Sequence, residues 1–269
     1  MTGCAFREMK NASPVVAFYE RVISLLVENG IEFLVGGGYA FGHYTRLERD
    51  TKDIDLMVRP STVEAVIRIC RAGGYESDYA FSHWLAKVQS VDGIIDIIFR
   101  AGNGLCEVTD DWFITAPHVE IFGYPVRLVS PEDMIWQKAY IMERERFDGA
   151  DVAHLLLSCS EQISWKRLLV RFGPDWRVLL SHLVLFGFIY PAHRALVPRN
   201  VLSEFISRLL SEEQSGMDGD PICNGTLLSR TQYRCDVTVR GLLDARRLGR
   251  SRISSIELDA WDNASPEPS

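Results

Sequence analysis

A single carboxylate set inside an unbroken apolar run constrains this chain more than any other feature. Asp96 stands within Ile94-Ile95-Asp96-Ile97-Ile98-Phe99, whose short length and β-branched content read as a buried strand. An ionised carboxylate removed from water loses several kcal/mol of hydration, so it needs a metal ion, an arginine or several donors nearby, or else it takes a proton. A structural aspartate bonded to backbone meets the same requirement. Whatever the fold, it must bring compensating chemistry to this strand.

A second pair of acids offers that chemistry. In Asp53-Ile54-Asp55-Leu56-Met57-Val58, closed by Pro60, alternation puts Asp53, Asp55 and Met57 on one face of a strand and Ile54, Leu56 and Val58 on the other. Two carboxylates then point the same way, about 6.6 Å apart along the strand. One reading leaves them exposed and screened by water, Lys52 or Arg49. The other joins them to Asp96 around divalent metal and accounts for all three positions. Magnesium suits this set, because the donors are hard oxygens and no histidine or cysteine lies at ligand spacing.

Upstream, a strand over Glu32 to Val35 runs into Gly36-Gly37-Gly38 and then a helix through Tyr44. Consecutive glycines leave backbone amides unshielded, and a helix starting beyond them aims its positive end at whatever they hold. That describes a phosphate cradle, although a glycine-rich turn also serves tight packing. A cradle beside three carboxylates suits the handling of a triphosphate, with Asp96 also placed to help deprotonate an acceptor. Gly36-x-Gly38 also suggests a dinucleotide turn with Asp53 or Asp55 as the ribose acid, but that acid belongs at the end of its strand and these aspartates open theirs. The six histidines show no paired spacing of the kind a metal-dependent phosphohydrolase recruits.

Around these motifs the pattern predicts a helix over Pro14 to Asn29 with Val15, Phe18, Tyr19, Val22, Leu25 and Leu26 on its apolar stripe, a helix over Ser61 to Arg71, and strands over Leu85 to Ser90 and Ile94 to Arg100. Ser130-Pro131-Glu132-Asp133 reads as a helix start in which Asp133 completes a capping box. Helix then dominates to about Leu210. The chain divides into a core over 1–129, a helical region over 130–215, whose stretch from Trp165 to Leu210 would shape an acceptor pocket or the face of a homo-oligomer, and a loop with a basic segment over 216–269. The longest apolar stretch, Val178 to Tyr190, is short of the roughly 20 residues of a membrane span and reads as a buried core helix. The amino terminus has no secretory pattern, which points to the cytoplasm and away from membranes. Six scattered cysteines argue for reduced thiols. A net charge of −7 argues against a generally nucleic-acid-binding surface, while Arg230, Arg234, Arg240, Arg246, Arg247, Arg250 and Arg252 leave two readings, an RNA-facing patch or surface salt bridges.

Val35-Gly36-Gly37, then Thr51-Lys52-Asp53-Ile54-Asp55-Leu56, then Ile95-Asp96-Ile97 resemble the nucleotidyltransferase superfamily that includes DNA polymerase beta and the aminoglycoside and minimal nucleotidyltransferases. Pro131-Glu132-Asp133, Lys138 and Arg146-Phe147-Asp148-Gly149-Ala150-Asp151 are similar to the helical stretch on the carboxyl side of the core in bacterial abortive-infection-type members. The gap from Gly37 to Asp53 is longer than usual for the superfamily. The resemblance implies an α/β (α+β) fold with a small mixed sheet flanked by helices, Gly36, Gly37 and Gly38 on phosphate, and Asp53, Asp55 and Asp96 on metal, expected as two Mg²⁺ ions. It also implies transfer of a nucleoside monophosphate from ATP or another nucleoside triphosphate to a hydroxyl of a small molecule, protein or RNA. Lys138 then either approaches the triphosphate or is a solvent-facing helix lysine. Asp148 has a structural role open to it as the N-cap of the next helix, with Asp151 in the first turn. A non-catalytic binding module of a toxin–antitoxin or phage-defence system is the alternative.

Overall fold

The computed structural model describes residues 13–47, 51–214 and 220–264. Cys4, Arg49, residues 216–219 of the glycine-rich stretch and the carboxyl-terminal residues 265–269 lie outside them. The chain divides into two compact units, residues 1–102 with 107–130, and residues 103–106 with 131–269.

In the first unit α1 (Pro14–Glu28) buries Val16, Phe18, Tyr19, Val22, Ile23 and Leu26. The predicted stripe is thus rotated slightly, with Val15 and Leu25 half-buried at its margin and Val16 and Ile23 inside. Next come β1 (Leu34–Val35), α2 (Gly37–Thr45), β2 (Asp53–Met57), α3 (Val63–Ala72), β3 (Glu76–Phe81), β4 (Leu85–Ser90), β5 (Gly93–Ile98), α4 (Asp110–Thr115), β6 (His118–Ile121) and β7 (Tyr124–Leu128). The seven strands form one mixed sheet in the order β3-β4-β5-β2-β1-β7-β6. β2 runs parallel to β5 and β1 parallel to β7, while β1 and β2 are antiparallel. That antiparallel pairing removes the dinucleotide reading, which needs a parallel βαβ unit.

Register explains why the apolar half of each strand is where it is. Ile54, Ile95 and Val88 lie side by side, as do Leu56, Ile97 and Ala86, and all six are fully buried. Full burial of each Ile or Leu contributes about 1.5–3 kcal/mol. Helices α1 and α3 pack on each other and against β3, β4 and β5. The opposite face of the same strands carries Asp53, Asp55, Asp96 and Lys87.

The second unit contains α5 (Pro131–Ala139), α6 (Gly149–Cys159), α7 (Trp165–Phe172), α8 (Trp176–Ile189), α9 (Arg199–Gln214), the short parallel pair β8 (Ile222–Cys223) and β9 (Leu243–Asp244), α10 (Arg234–Thr238) and α11 (Ser255–Asn263). The apolar stretch expected to be a buried core helix is α8, and only one of its faces is buried, through Trp176, Leu179, His182, Leu183 and Phe186. Val184 and Phe188 are 63% and 84% exposed, because residues four apart share a side and that side meets solvent. Among the described residues no helix is long and apolar enough to cross a membrane. The five described cysteines are free thiols.

Two acids at the starts of these helices have cationic partners. Asp133 is fully buried, with its carboxylate accepting from Arg167 at 2.5 Å and Arg171 at 2.7 Å. Asp148 does stand at the N-cap of α6, but its side chain makes no capping bond and instead faces Arg146 and Lys138. Charge-assisted bonds to nearby cations engage both carboxylates.

Candidate active site

The register of the central strands decides the geometry. Asp55 on β2 and Asp96 on β5 are direct cross-strand partners, so the two carboxylates leave the sheet on one face as neighbours. Asp53 follows on the same face two residues along β2. Asp96 is 9% exposed, and Asp53 and Asp55 are half-buried. On the other side of Asp96, Lys87 of β4 is its cross-strand partner, with Nζ 3.4 Å from Asp96 Oδ1. Sequence reasoning passed over Lys87; the signal was its period-two place in β4, legible only once the strand order is known.

The glycine run presses against this row. Gly36 donates its N–H to the Asp55 carbonyl at 2.9 Å, which ties the turn to β2. Gly37 has φ +51, and a Cβ there would lie 1.4 Å from Asp55 Oδ2. No side chain fits between this backbone and that carboxylate. Gly38 is also pressed against Thr51, where a Cβ would meet Cγ2 at 2.0 Å. The helix was expected to begin beyond the glycines; it begins inside them, with Gly36 as N-cap and Gly37 as its first residue. The first-turn amides of α2, which no helical carbonyl can satisfy, are therefore those of the glycine run itself.

Two tyrosines complete the surroundings, Tyr19, read in the sequence only as part of an apolar stripe, and Tyr39, passed over there. Tyr19 reaches the Lys52 carbonyl at 3.5 Å and meets Tyr39 edge to face, with ring centroids 6.4 Å apart. Burial pushes the Tyr19 hydroxyl up strongly, helped by Tyr39 and by the charges of Asp53, Asp55 and Asp96. Tyr39 is raised by burial and then by Asp53, while its hydrogen bond with Thr51 acts the other way. Both phenols stay protonated, Tyr19 within the field of all three acids and Tyr39 within that of Asp53.

The donor set suits a hard divalent cation, since it consists of carboxylate oxygens beside bare backbone amides. Among the described residues no three His, Cys, Asp or Glu side chains are gathered tightly enough to enclose an ion. Two adjacent acids and a third further along the strand match the way magnesium is usually held, by one or two carboxylates with substrate phosphates and water filling the shell.

Residues 8–173 match the model of a family described as uncharacterised nucleotidyltransferases, a span of more than half the chain that contains all of the residues above. The chain belongs to that family. No curated protein matches it. Its fold is similar to the solution structure of the antibiotic-resistance factor ANT(2'')-Ia, at 18% identity over 62% of this chain and 95% of that one, TM-score 0.43. An antigenic nucleotidyltransferase-like protein from Paracoccidioides brasiliensis is similar at 16% identity over 68% and 91%, TM-score 0.43. The lincosamide antibiotic adenylyltransferase LnuA in its lincomycin-bound form is similar at 17% identity over 52% and 94%, TM-score 0.38.

Lys138, the remaining candidate, belongs to the second unit. Its ammonium is 2.6 Å from Asp151 Oδ2 and 3.2 Å from Asp148 Oδ2, and only 17% of the side chain is exposed. It is therefore no solvent-facing helix lysine. Burial raises the Asp148 carboxyl, but Arg146 and Lys138 outweigh it and hold the group below its ordinary value. The arginines of the basic segment are mostly paired. Arg246 grips Asp244 and Asp262, Arg247 meets Asp259, Arg240 meets Asp236 and Arg250 meets Asp175. Arg230 and Arg234 donate to the carbonyls of Trp261 and Asp262.

Proposed function

We propose that this nucleotidyltransferase is an active enzyme that transfers a nucleoside monophosphate from a nucleoside triphosphate to a hydroxyl acceptor, releasing pyrophosphate. The observation that carries the reading is the cross-strand pairing of Asp55 with Asp96 directly against the backbone of Gly37. Asp53, Asp55 and Asp96 would hold the Mg²⁺ ions, and the amides of Gly37 and Gly38 would receive phosphate oxygens, while the Gly36 N–H, expected in the same cradle, is committed to the Asp55 carbonyl. Bound magnesium would supply neutralisation of the charge that builds on the phosphates.

The residues of the chain account for the rest. The missing Cβ at Gly37 lets the triphosphate approach Asp55 without an intervening side chain, which fixes the reacting phosphate against the acids. Asp96, set between Asp55 and Lys87, is the acid placed to accept the proton of the attacking hydroxyl. The protonated Tyr19 and Tyr39 add polar hydrogens on the Asp53 side without adding charge. A purely non-catalytic role would not require this face of the sheet to keep its acids adjacent.

The test is direct. The full chain is incubated with each nucleoside triphosphate, Mg²⁺ and a cell extract, and pyrophosphate release and labelled acceptors are followed by mass spectrometry. Labelling that requires Mg²⁺ and disappears with Asp55→Asn supports the reading, and labelling undiminished by that change overturns it.

A further inference from the structure

The row of side chains that crosses the sheet on the acid-bearing face does not stop at Asp96. In register across β2, β5, β4 and β3 stand Asp55, Asp96, Lys87 and Asp78. Neighbours in such a row have Cβ atoms about 4.5–5.5 Å apart, within reach of a long, flexible amine. Lys87 therefore sits between two acids. One is the nearly buried Asp96, at 3.4 Å; the other is Asp78, whose side chain is 77% exposed and is bridged by Arg71 at 2.9 Å. The Lys87 side chain is itself 22% exposed, so it is neither locked in a core nor free in solvent.

We propose that Lys87 is a resident counter-cation, a positioning residue that occupies the cation place beside Asp96 in the metal-free protein and gives it up when a divalent ion arrives. The idea rests on the proposed function above, since it concerns the same acids. Two adjacent carboxylates on a largely buried face repel one another, and a lysine in the next register position offsets that repulsion without needing a bound ion. A divalent ion carries twice the charge of an ammonium and directly ligates oxygen, so it displaces the amine. Lys87 then has Asp78 on its other side to turn toward. The consequence is selective: the site stays folded without metal, and weakly charged monovalent ions have to compete with an ammonium already in place.

Two measurements on the full chain test this. The first is Mn²⁺ binding without nucleotide, read from the free-ion electron paramagnetic resonance signal. Replacing Lys87 by Met or Gln removes the competitor, so Mn²⁺ binding should tighten by about tenfold, the scale of one unit charge beside a partly buried site, while Lys87→Arg restores wild-type affinity. A merely structural lysine predicts weaker or unchanged binding in the neutral variants, and that result overturns the proposal. The second needs no variant. The wild-type protein is treated with an amine-acylating reagent with and without Mg²⁺, and acylation of Lys87 is read by peptide mass spectrometry. Reactivity should rise several-fold with Mg²⁺, and a rate that does not change or falls also overturns the proposal. Failure of the underlying reading looks different: wild-type Mn²⁺ binding that is insensitive to Asp55→Asn removes the metal site itself, and Lys87 with it.

Discussion

The acids of the sheet and the acids of the helical unit are one residue type under opposite arrangements. In the helical unit Asp133 is fully buried between Arg167 and Arg171, Asp148 and Asp151 share Lys138, and Asp244 is gripped by Arg246. On the sheet, Asp55 and Asp96 stand beside each other, and the register gives the pair one lysine. Each acid of the first arrangement faces an arginine or lysine, whereas in the second an acid's cross-strand neighbour is another acid. A buried aspartate in itself only shows that compensation exists; whether its neighbour across the fold is a cation or a second acid separates the two arrangements.

Neutralising one acid in each place should break that comparison most sharply. Asp55→Asn or Asp96→Asn should lower nucleotide transfer by about 10³-fold or more, the scale of losing an electrostatic anchor for a transition state. The melting temperature should hold or rise, because a repulsion is relieved. Asp133→Asn should do the reverse, lowering stability by about 3–5 kcal/mol, as it leaves two largely buried arginines uncompensated. Parallel urea unfolding and pyrophosphate-release assays read both effects. If Asp55→Asn unfolds the chain as badly as Asp133→Asn, the two groups of acids do the same structural work and the distinction is lost.

A smaller effect is expected where the glycine run meets the acids. Gly37→Ala puts a methyl group into the Asp55 carboxylate at a backbone angle of +51°, where a non-glycine residue costs about 1–3 kcal/mol. Activity should fall with stability. Gly123→Ala, also at positive φ but with nothing within 4 Å of the added carbon, should lose stability alone. Comparing the two variants by calorimetry and transfer assay separates the conformational penalty from the collision with Asp55.

How much of this was legible in the sequence depends on the range of the interaction that carries it. Period-two alternation in Asp53 to Met57 and the apolar frame of Asp96 put each acid on its face, because those are local properties of a strand. Lys87 was invisible, since its partnership with Asp96 exists only through the antiparallel pairing of β4 with β5. The strands Glu76–Phe81 and His118–Ile121 were missed because they are the two edges of the sheet; among their residues Glu76, Asp78, Ala80, His118 and Glu120 are exposed, so the apolar signal is thin. Asp148 was open to a capping bond on its local motif, and it makes none because Arg146 and Lys138 claim its carboxylate. The capping box that does form, Ser254 with Glu257, went unmarked in a segment read for its arginines.

Acid conditions sharpen the comparison from the helical side. His182 is buried, stacks on Phe147 and donates Nε2–H to the Ala139 carbonyl at 3.0 Å in its neutral form. Burial lowers its pKa below the ordinary 6.5, and the bond to Ala139 only partly offsets this. The unfolded chain then binds a proton that the folded one refuses. The contribution is fully present above pH 6.5 and is lost as pH falls below that value toward the lowered folded pKa, by at most about 1.4 kcal/mol per pH unit. Urea midpoints between pH 7.5 and pH 5 should fall less in His182→Gln than in wild type. Equal slopes would mean that the ring is protonated in the folded protein.

The smallest effects separate the arginines of the last segment from one another. Arg246 has 2% of its side chain exposed and makes paired contacts to both Asp244 and Asp262, so Arg246→Ala leaves two carboxylates short of their cation and should cost about 3 kcal/mol or more. Arg247 is 38% exposed against an Asp259 that is 63% exposed; water and salt screen that pair, and Arg247→Ala should cost less than about 1 kcal/mol. Both values come from thermal or urea unfolding. The same variants address the basic character of the segment, because an arginine already committed to an aspartate has little charge left for a phosphate backbone. A fluorescent single-stranded RNA should therefore bind wild type and Arg247→Ala equally weakly at moderate salt. A steep salt dependence in wild type that the variant reduces would show that Arg247 leaves Asp259 for the nucleic acid, and would give this segment a role beyond its own ion pairs.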